Sequence, residues 1–306
     1  MGPPIKRYCA IILRAIRYRE FSPLHMITPL GALLSVSWAQ FRRRIVPIVI
    51  GAVFFGLVLG VSQSFMGKRV QESAGTALQQ FGIDLQEMQA LQKRIEVGDE
   101  AAVAEFQQRM QDLQDRGPDV AAQGAGLVFA RMAPYLGVSV LVSIIISIIA
   151  GAYFLMLALD ETLDYAKAAK REVGLIVPLF LLWLWIMVRS FVWIPIIGFV
   201  FAVVLLPRFL CAPVLVARDR KGVLESASMS YAQTRGYWGK IFGNGLGAGI
   251  CVVVAMLVVG FLLGMFGTAG VMLMPVANML ATAFMTIFAV KLALTIQEHP
   301  LVIQQR

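Results

Sequence analysis

The sequence predicts an all-α polytopic membrane protein, a six-span helical bundle with an extracytoplasmic helical hairpin. Three observations predict it. Hydrophobic residues make up 58% of the chain and charged residues 15%, against roughly 45–50% and ~25% in soluble domains. Apolar stretches long enough for a ~30 Å hydrocarbon core, at ~1.5 Å per helical residue, recur along the chain. The polar stretches alternate in charge, +7 and +4 on the inner side against −3 outside, and the one inner connection at −1 is tolerated because acids count for little in the positive-inside bias. The excess of 27 Lys and Arg over 18 Asp and Glu is therefore a topology signal, and no nucleic-acid partner is expected.

Residues 1–44 form a basic amphipathic segment at the cytoplasmic face, with eight basic residues against Glu20 alone. Ile5, Tyr8, Ile12 and Ala15 share one helical face. After the break at Ser22 and Pro23, Leu30, Leu33, Leu34 and Trp38 supply a second apolar set, closed by Arg42, Arg43 and Arg44. Such a segment lies among anionic headgroups, each basic residue adding about 1 kcal/mol of attraction. It also holds the N-terminus inside. The first span follows at 45–65, in a membrane segment bounded at 45–66. Its Gly51, Gly56 and Gly60 leave room for a neighbouring helix.

Residues 67–133 are polar, with seven basic residues against ten acids, which places them outside. Leu78, Phe81, Leu85, Met88, Leu91 and Ile95 recur every three or four positions, as do Val103, Phe106, Met110 and Leu113. Gly98 and Asp99 separate the two patterns, and Gly117 and Pro118 end the second. An antiparallel hairpin results, either a self-packed cap or a surface for a protein partner.

Residues 134–306 hold five further spans. The first, at 135–157, carries Ser139, Ser143 and Ser147 in one line. A charged connection at 160–172 leads to a hairpin of 173–188 and 191–206, with Arg189 at its turn. An arginine at membrane depth is functional unless it snorkels to water beside that turn. The last pair, 243–266 and 271–294, is joined at 267–270. Gly243, Gly245, Gly247 and Gly249 suit close helix contact, and Asn278 requires a partner across helices. Ser139, Ser143, Ser147, Arg189 and Asn278 are the candidates for a polar path between the spans.

Between these spans lies an amphipathic cytoplasmic loop, 208–242, with six basic residues against two acids. Val223, Ala227, Ser230 and Tyr231 share one face of a short helix, and Gly236 stands where a glycine ends it. No reactive cluster accompanies it. Cys9, Cys211 and Cys251 have no paired spacing, and His25 and His299 stand nearly a chain length apart. No metalloprotease, phosphate-loop or nucleophile motif occurs. Catalysis, a metal site and a cofactor are not expected.

The loop carries a recognisable order of residues: Pro213 at the end of a span, Gly222 in a charged turn, then Glu225, Ser230, Thr234 and Gly236, with Trp238 and Phe242 after them. This order resembles a signature of the YciC-like group of bacterial inner-membrane proteins, related to the membrane domain of some glycerophosphodiester phosphodiesterases. Ser226 stands where the pattern has alanine. The resemblance covers about a quarter of the chain and implies the six-span fold and a bacterial inner-membrane location, with both termini cytoplasmic. It implies no reaction, because the phosphodiesterase chemistry belongs to a separate soluble domain. Pro213, Glu225, Ser230, Thr234, Gly236 and Trp238 are the candidates for structural or interaction roles. Two functional classes follow: a non-enzymatic scaffold or accessory subunit of an envelope process, and a transporter or lipid-handling protein.

Overall fold

The computed structural model describes residues 29–80, 85–115, 118–160, 162–163, 165–191 and 204–298. Among them all regular structure is helical: α1 Leu30–Arg43, α2 Ile45–Gln79, α3 Leu85–Glu96, α4 Glu100–Asp115, α5 Pro118–Leu159 and α6 Tyr165–Phe191. After a 3₁₀ turn at Leu206–Phe209 come α7 Ala212–Asp219, α8 Val223–Gln233, α9 Trp238–Gly264 and α10 Thr268–Glu298. Four helices are long and apolar enough to cross a membrane: α2, the part of α5 from Ala125, α9, and α10 from Ala269. Counting α6 as one span, despite a 56° bend between Tyr165–Arg171 and Val173–Arg189, makes five. This is an integral membrane protein. The remaining expected arm, 191–206, falls mostly on residues outside those described, as do the first part of the N-terminal segment and Cys9.

The chain divides into two compact units, Met1–Leu57 with Ser147–Arg306, and Val58–Ile146. In the second unit, nothing between Gly67 and Gln79 breaks a helix, so α2 runs on past the apolar stretch. At 35 residues it exceeds a single crossing, and α5 with 42 residues exceeds it further. Pro118 opens α5, where its missing N–H is no loss. The turn between α3 and α4 falls at Gly98 and Asp99, and Gly98 has φ +88°. Asp99 caps α4, its carboxylate accepting the Ala101 and Ala102 N–H groups at 3.0 and 3.3 Å. The Arg94 side chain donates to the same carboxylate at 2.8 Å and, with the Ala102 bond, holds Asp99 below the usual carboxylate range. Of the apolar stripes on these two helices, Leu91 is buried while Val103 is exposed.

The first unit is built by close approach. A methyl group added at Gly51 would lie 2.3 Å from the Tyr153 ring, and one at Gly56 would lie 2.6 Å from the Val276 backbone. The Tyr153 hydroxyl donates to the Pro47 carbonyl at 2.9 Å. Phe55 meets both Tyr153 and Phe154 edge-on, at 5.7 and 6.4 Å. Helices α9 and α10 pair closely, and α1 packs on both. In α1, Leu33, Ser37, Gln40 and Phe41 are buried by protein, while Val36 and Trp38 on the other face are half exposed, the Trp38 ring stacked on Phe41 at 5.5 Å.

The glycines of α9 depart from expectation. A methyl group at Gly243, Gly245 or Gly249 would meet nothing within 4 Å, and at Gly247 it would touch only the Leu30 side chain. Their helix instead exposes Leu246, Ile250, Val253, Leu257 and Phe261 in a row, as a lipid-facing helix does. Tight contacts are made at Gly247, where the added methyl would lie 2.5 Å from Leu30, and elsewhere by Gly51, Gly56 and Gly270.

Gly56→Ala is expected to lower the stability of the detergent-solubilised protein by roughly 1–3 kcal/mol, because the obstacle is backbone that cannot turn aside. Gly245→Ala is expected to leave it unchanged or raise it by up to about 1 kcal/mol. Thermal unfolding of the two variants checks the contrast, and equal shifts would refute it.

Candidate functional site

The stretch from Val204 to Cys211 interrupts the helical backbone deep in the first unit. Pro207 forces a 3₁₀ turn there, which leaves carbonyl and N–H groups without helical partners. Three side chains reach them from the next helices. Ser230 Oγ donates to the Arg208 carbonyl at 2.8 Å and accepts the Cys211 N–H at 3.1 Å. Thr234 Oγ1 lies 3.1 Å from the same carbonyl and 2.8 Å from Ser230 O in its own helix. Trp238 Nε1 donates to the Val204 carbonyl at 2.9 Å, and its ring stacks on Phe242 at 5.1 Å. Ser230 and Thr234 are fully buried. Ser230 and Thr234 stand one helical turn apart at the end of α8, and Trp238, the first residue of α9, reaches the same stretch from beyond the turn at Gly236.

The other signature residues shape the joint. Pro213 sits in the first turn of α7, where a proline is tolerated. Gly236, at φ +87°, provides the third position of a turn in which the Tyr237 N–H bonds the Thr234 carbonyl at 3.1 Å. Glu225 pairs with Lys221 at 2.7 Å on the surface, a contact worth under about 1 kcal/mol. Ser226 buries its hydroxyl with no hydrogen-bond partner among the described residues, at the position where the pattern has alanine.

Two local readings are corrected. Tyr231 is not on the buried face of α8, which is formed by Ser226, Ala227 and Ser230. Its ring is 47% exposed and carries the Arg208 guanidinium at 5.3 Å. Nor is the whole of 208–242 a surface loop. In α7, Ala212, Val214, Leu215, Val216 and Ala217 are all buried, so this helix is an interior element. Burial pushes the neighbouring Cys211 thiol up to about 12, which keeps it protonated and unreactive.

Beside the joint lies a cleft of about 990 Å³ between α5, α6, α7, α9 and α10. Of the polar-path candidates, only Asn278 lines it. The hydroxyls of Thr282 and Thr286, also in its wall, are bonded to the carbonyls four residues earlier, at 2.9 and 2.8 Å. Ser139 and Ser143 belong to the second unit and Ser147 is exposed on α5. Arg189 lies over the Trp185 ring at 5.3 Å, and Trp185 meets Phe209 edge-on at the same distance. Among the described residues the cleft is lined mostly by apolar side chains, with one amide and two threonine hydroxyls in its wall.

Sequence reasoning missed a second clamp. Gln40 Nε2 donates to the Ala158 carbonyl at 2.9 Å. Arg44, one turn further on, donates to the carbonyls of Asp160 and Leu163. The two close the C-terminal end of α5, and the arginine charge suits the negative end of that helix. A glutamine on the apolar side of a basic helix, four residues before an arginine, was the available signal. Among the described residues no group of three His, Cys, Asp or Glu side chains is placed to hold a metal.

Compared with known proteins, the chain matches no family model, no curated protein and no solved structure.

Ser230→Ala is expected to destabilise the protein by roughly 1–3 kcal/mol, since a buried N–H loses its acceptor. Ser226→Ala, which removes an unsatisfied buried hydroxyl, is expected to be neutral or stabilising by about 1 kcal/mol. Opposite signs in thermal unfolding support the clamp. A larger loss from Ser226→Ala would overturn it.

Proposed function

We propose that this chain is a non-enzymatic bacterial inner-membrane protein of the YciC-like group, a scaffold or accessory subunit of an envelope process. The observation that carries the reading is the engagement of its signature side chains. Ser230, Thr234 and Trp238 all bond to nearby backbone, which leaves the loop as a joint and not as a reaction centre. The same residues are the ones on which the family resemblance rests.

The proposed topology puts the start of α2 and the end of α5 inside. Arg42, Arg43 and Arg44 gather there with Lys167, Lys170 and Arg171 of the following helix, which the positive-inside bias favours. Both termini fall inside with the four helices that qualify on their own, and equally with α6 as a fifth crossing once the expected arm at 191–206 supplies the sixth. The polar part of the second unit, residues 67–133, is then extracytoplasmic. Its exposed Val97, Val103 and Phe129 support a protein partner there over a self-contained cap. The apolar cleft favours a second reading, a lipid-handling protein, over a carrier of polar solutes.

Cysteines introduced for Val97 and Gly222 are expected to react with a membrane-impermeant maleimide from opposite sides of intact cells or inverted vesicles. Labelling of both from one side would sink the topology. A photo-crosslinking residue at Val103 is expected to give one discrete heteromeric adduct in growing cells. Only lipid adducts, or none, would remove the scaffold reading.

A further inference from the structure

A second hollow, of about 500 Å³, opens where α6 begins and α7 ends. It is lined by Leu163, Lys167, Lys170, Arg171, Gly174 and Arg220. On α6 the positions 167, 170, 171 and 174 are one helical face, so three basic side chains converge with a glycine that keeps the floor low. The fourth, Arg220, stands at the end of α7 in the left-handed conformation, with φ +54°. Arg171 is tied to the Asp160 carboxylate at 3.1 Å. Lys170 and Arg220 carry no ion pair among the described residues.

This hollow and the apolar cleft share two walls. Five residues beyond Gly174, about 7.5 Å along α6, Leu179 enters the cleft. Six residues before Arg220, about 9 Å along α7, Val214 enters it as well. The two helices run in opposite directions past each other, so their charged ends coincide and their apolar ends coincide. Leu155, Met256 and Met285 complete the apolar side, and methionine side chains adapt to a mobile chain. Four cations at one end and a hydrocarbon-lined space at the other match an amphiphile whose charged group is an anion.

We infer that the hollow and the cleft together bind one anionic phospholipid, its phosphate among Lys167, Lys170, Arg171 and Arg220 and an acyl chain in the cleft. The shared chemistry is a phosphate oxyanion, so free phosphate is the competing source. The inference goes beyond the scaffold role and does not require it, since partner crosslinking at Val103 reads a different unit.

The full-length protein in a neutral detergent, titrated by native mass spectrometry, tests the site. The probes are phosphatidylglycerol, phosphatidylcholine and inorganic phosphate. Phosphatidylglycerol is expected to bind at least tenfold more tightly than either of the others. The double variant Lys170→Glu/Arg220→Glu is expected to lose that preference, and the milder Lys170→Gln/Arg220→Gln to reduce it. Gly151→Phe fills the cleft from a position where an added Cβ meets nothing within 4 Å. It is expected to weaken the lipid at least tenfold with both helices in place. Inorganic phosphate binding as tightly as the lipid, with Gly151→Phe without effect, would make this a soluble-anion site. Equal binding of the two lipids by the unaltered protein would leave an apolar groove only. Either result overturns the inference, and the second comparison needs no variant to fold.

Discussion

A hydrocarbon interior has no hydrogen-bond partner to offer, so every interruption of a membrane helix must be closed by the protein itself. The same rule holds wherever backbone is buried in protein, and two broken stretches of the first unit are closed in this way. At the 3₁₀ turn, Ser230, Thr234 and Trp238 reach across from α8 and α9 to the backbone between Val204 and Cys211. At the end of α5, Gln40 and Arg44 reach across from α1 and the residue after it. With those backbone groups answered, the short α7 can sit in the interior with apolar residues on all sides. Without them its entry would bury unsatisfied backbone groups, each costing roughly 1–3 kcal/mol.

Packing between the helices follows a related constraint. Lipid tails are as apolar as leucine, so burying a leucine between two membrane helices gains little, and close contact must supply the attraction. Gly51, Gly56 and Gly270 provide it, each where a side chain would strike a ring or a backbone. The outward row on α9 shows the converse, large apolar side chains left facing away from the protein. Both hollows border α6 and α7. The clamp that seats α7 therefore also shapes the walls of the proposed lipid site, which links a structural device to a binding surface.

Much of the secondary structure was legible in the chain. The turn at Gly98 and Asp99, the short helix before Gly236 and the long apolar helices all follow from caps, breakers and period. Helix lengths were less legible, because polarity marks where a membrane ends and not where a helix ends. Residues 67–79 contain no breaker, so α2 continues through them. The face of α8 was misread at Tyr231, since a tyrosine scores as apolar while its ring and hydroxyl suit a half-exposed place beside Arg208. The signature residues were legible in the chain as an ordered set. Their hydrogen-bond partners were not, and those partners are backbone atoms that no pattern of side chains announces.

By itself the sequence determined the class of the protein, its helical character and the sign of charge at each polar stretch. Those properties are written within a few residues of each position, in composition, periodicity and capping chemistry. Only the tertiary structure decided that α7 is interior, that Gln40 meets a carbonyl 118 residues away, and that of the four glycines opening α9 only Gly247 meets a neighbour. In a membrane, hydrophobicity cannot distinguish a face turned to lipid from one turned to protein. That choice is made by fit and by the need to close each broken backbone, and both depend on residues distant in the chain.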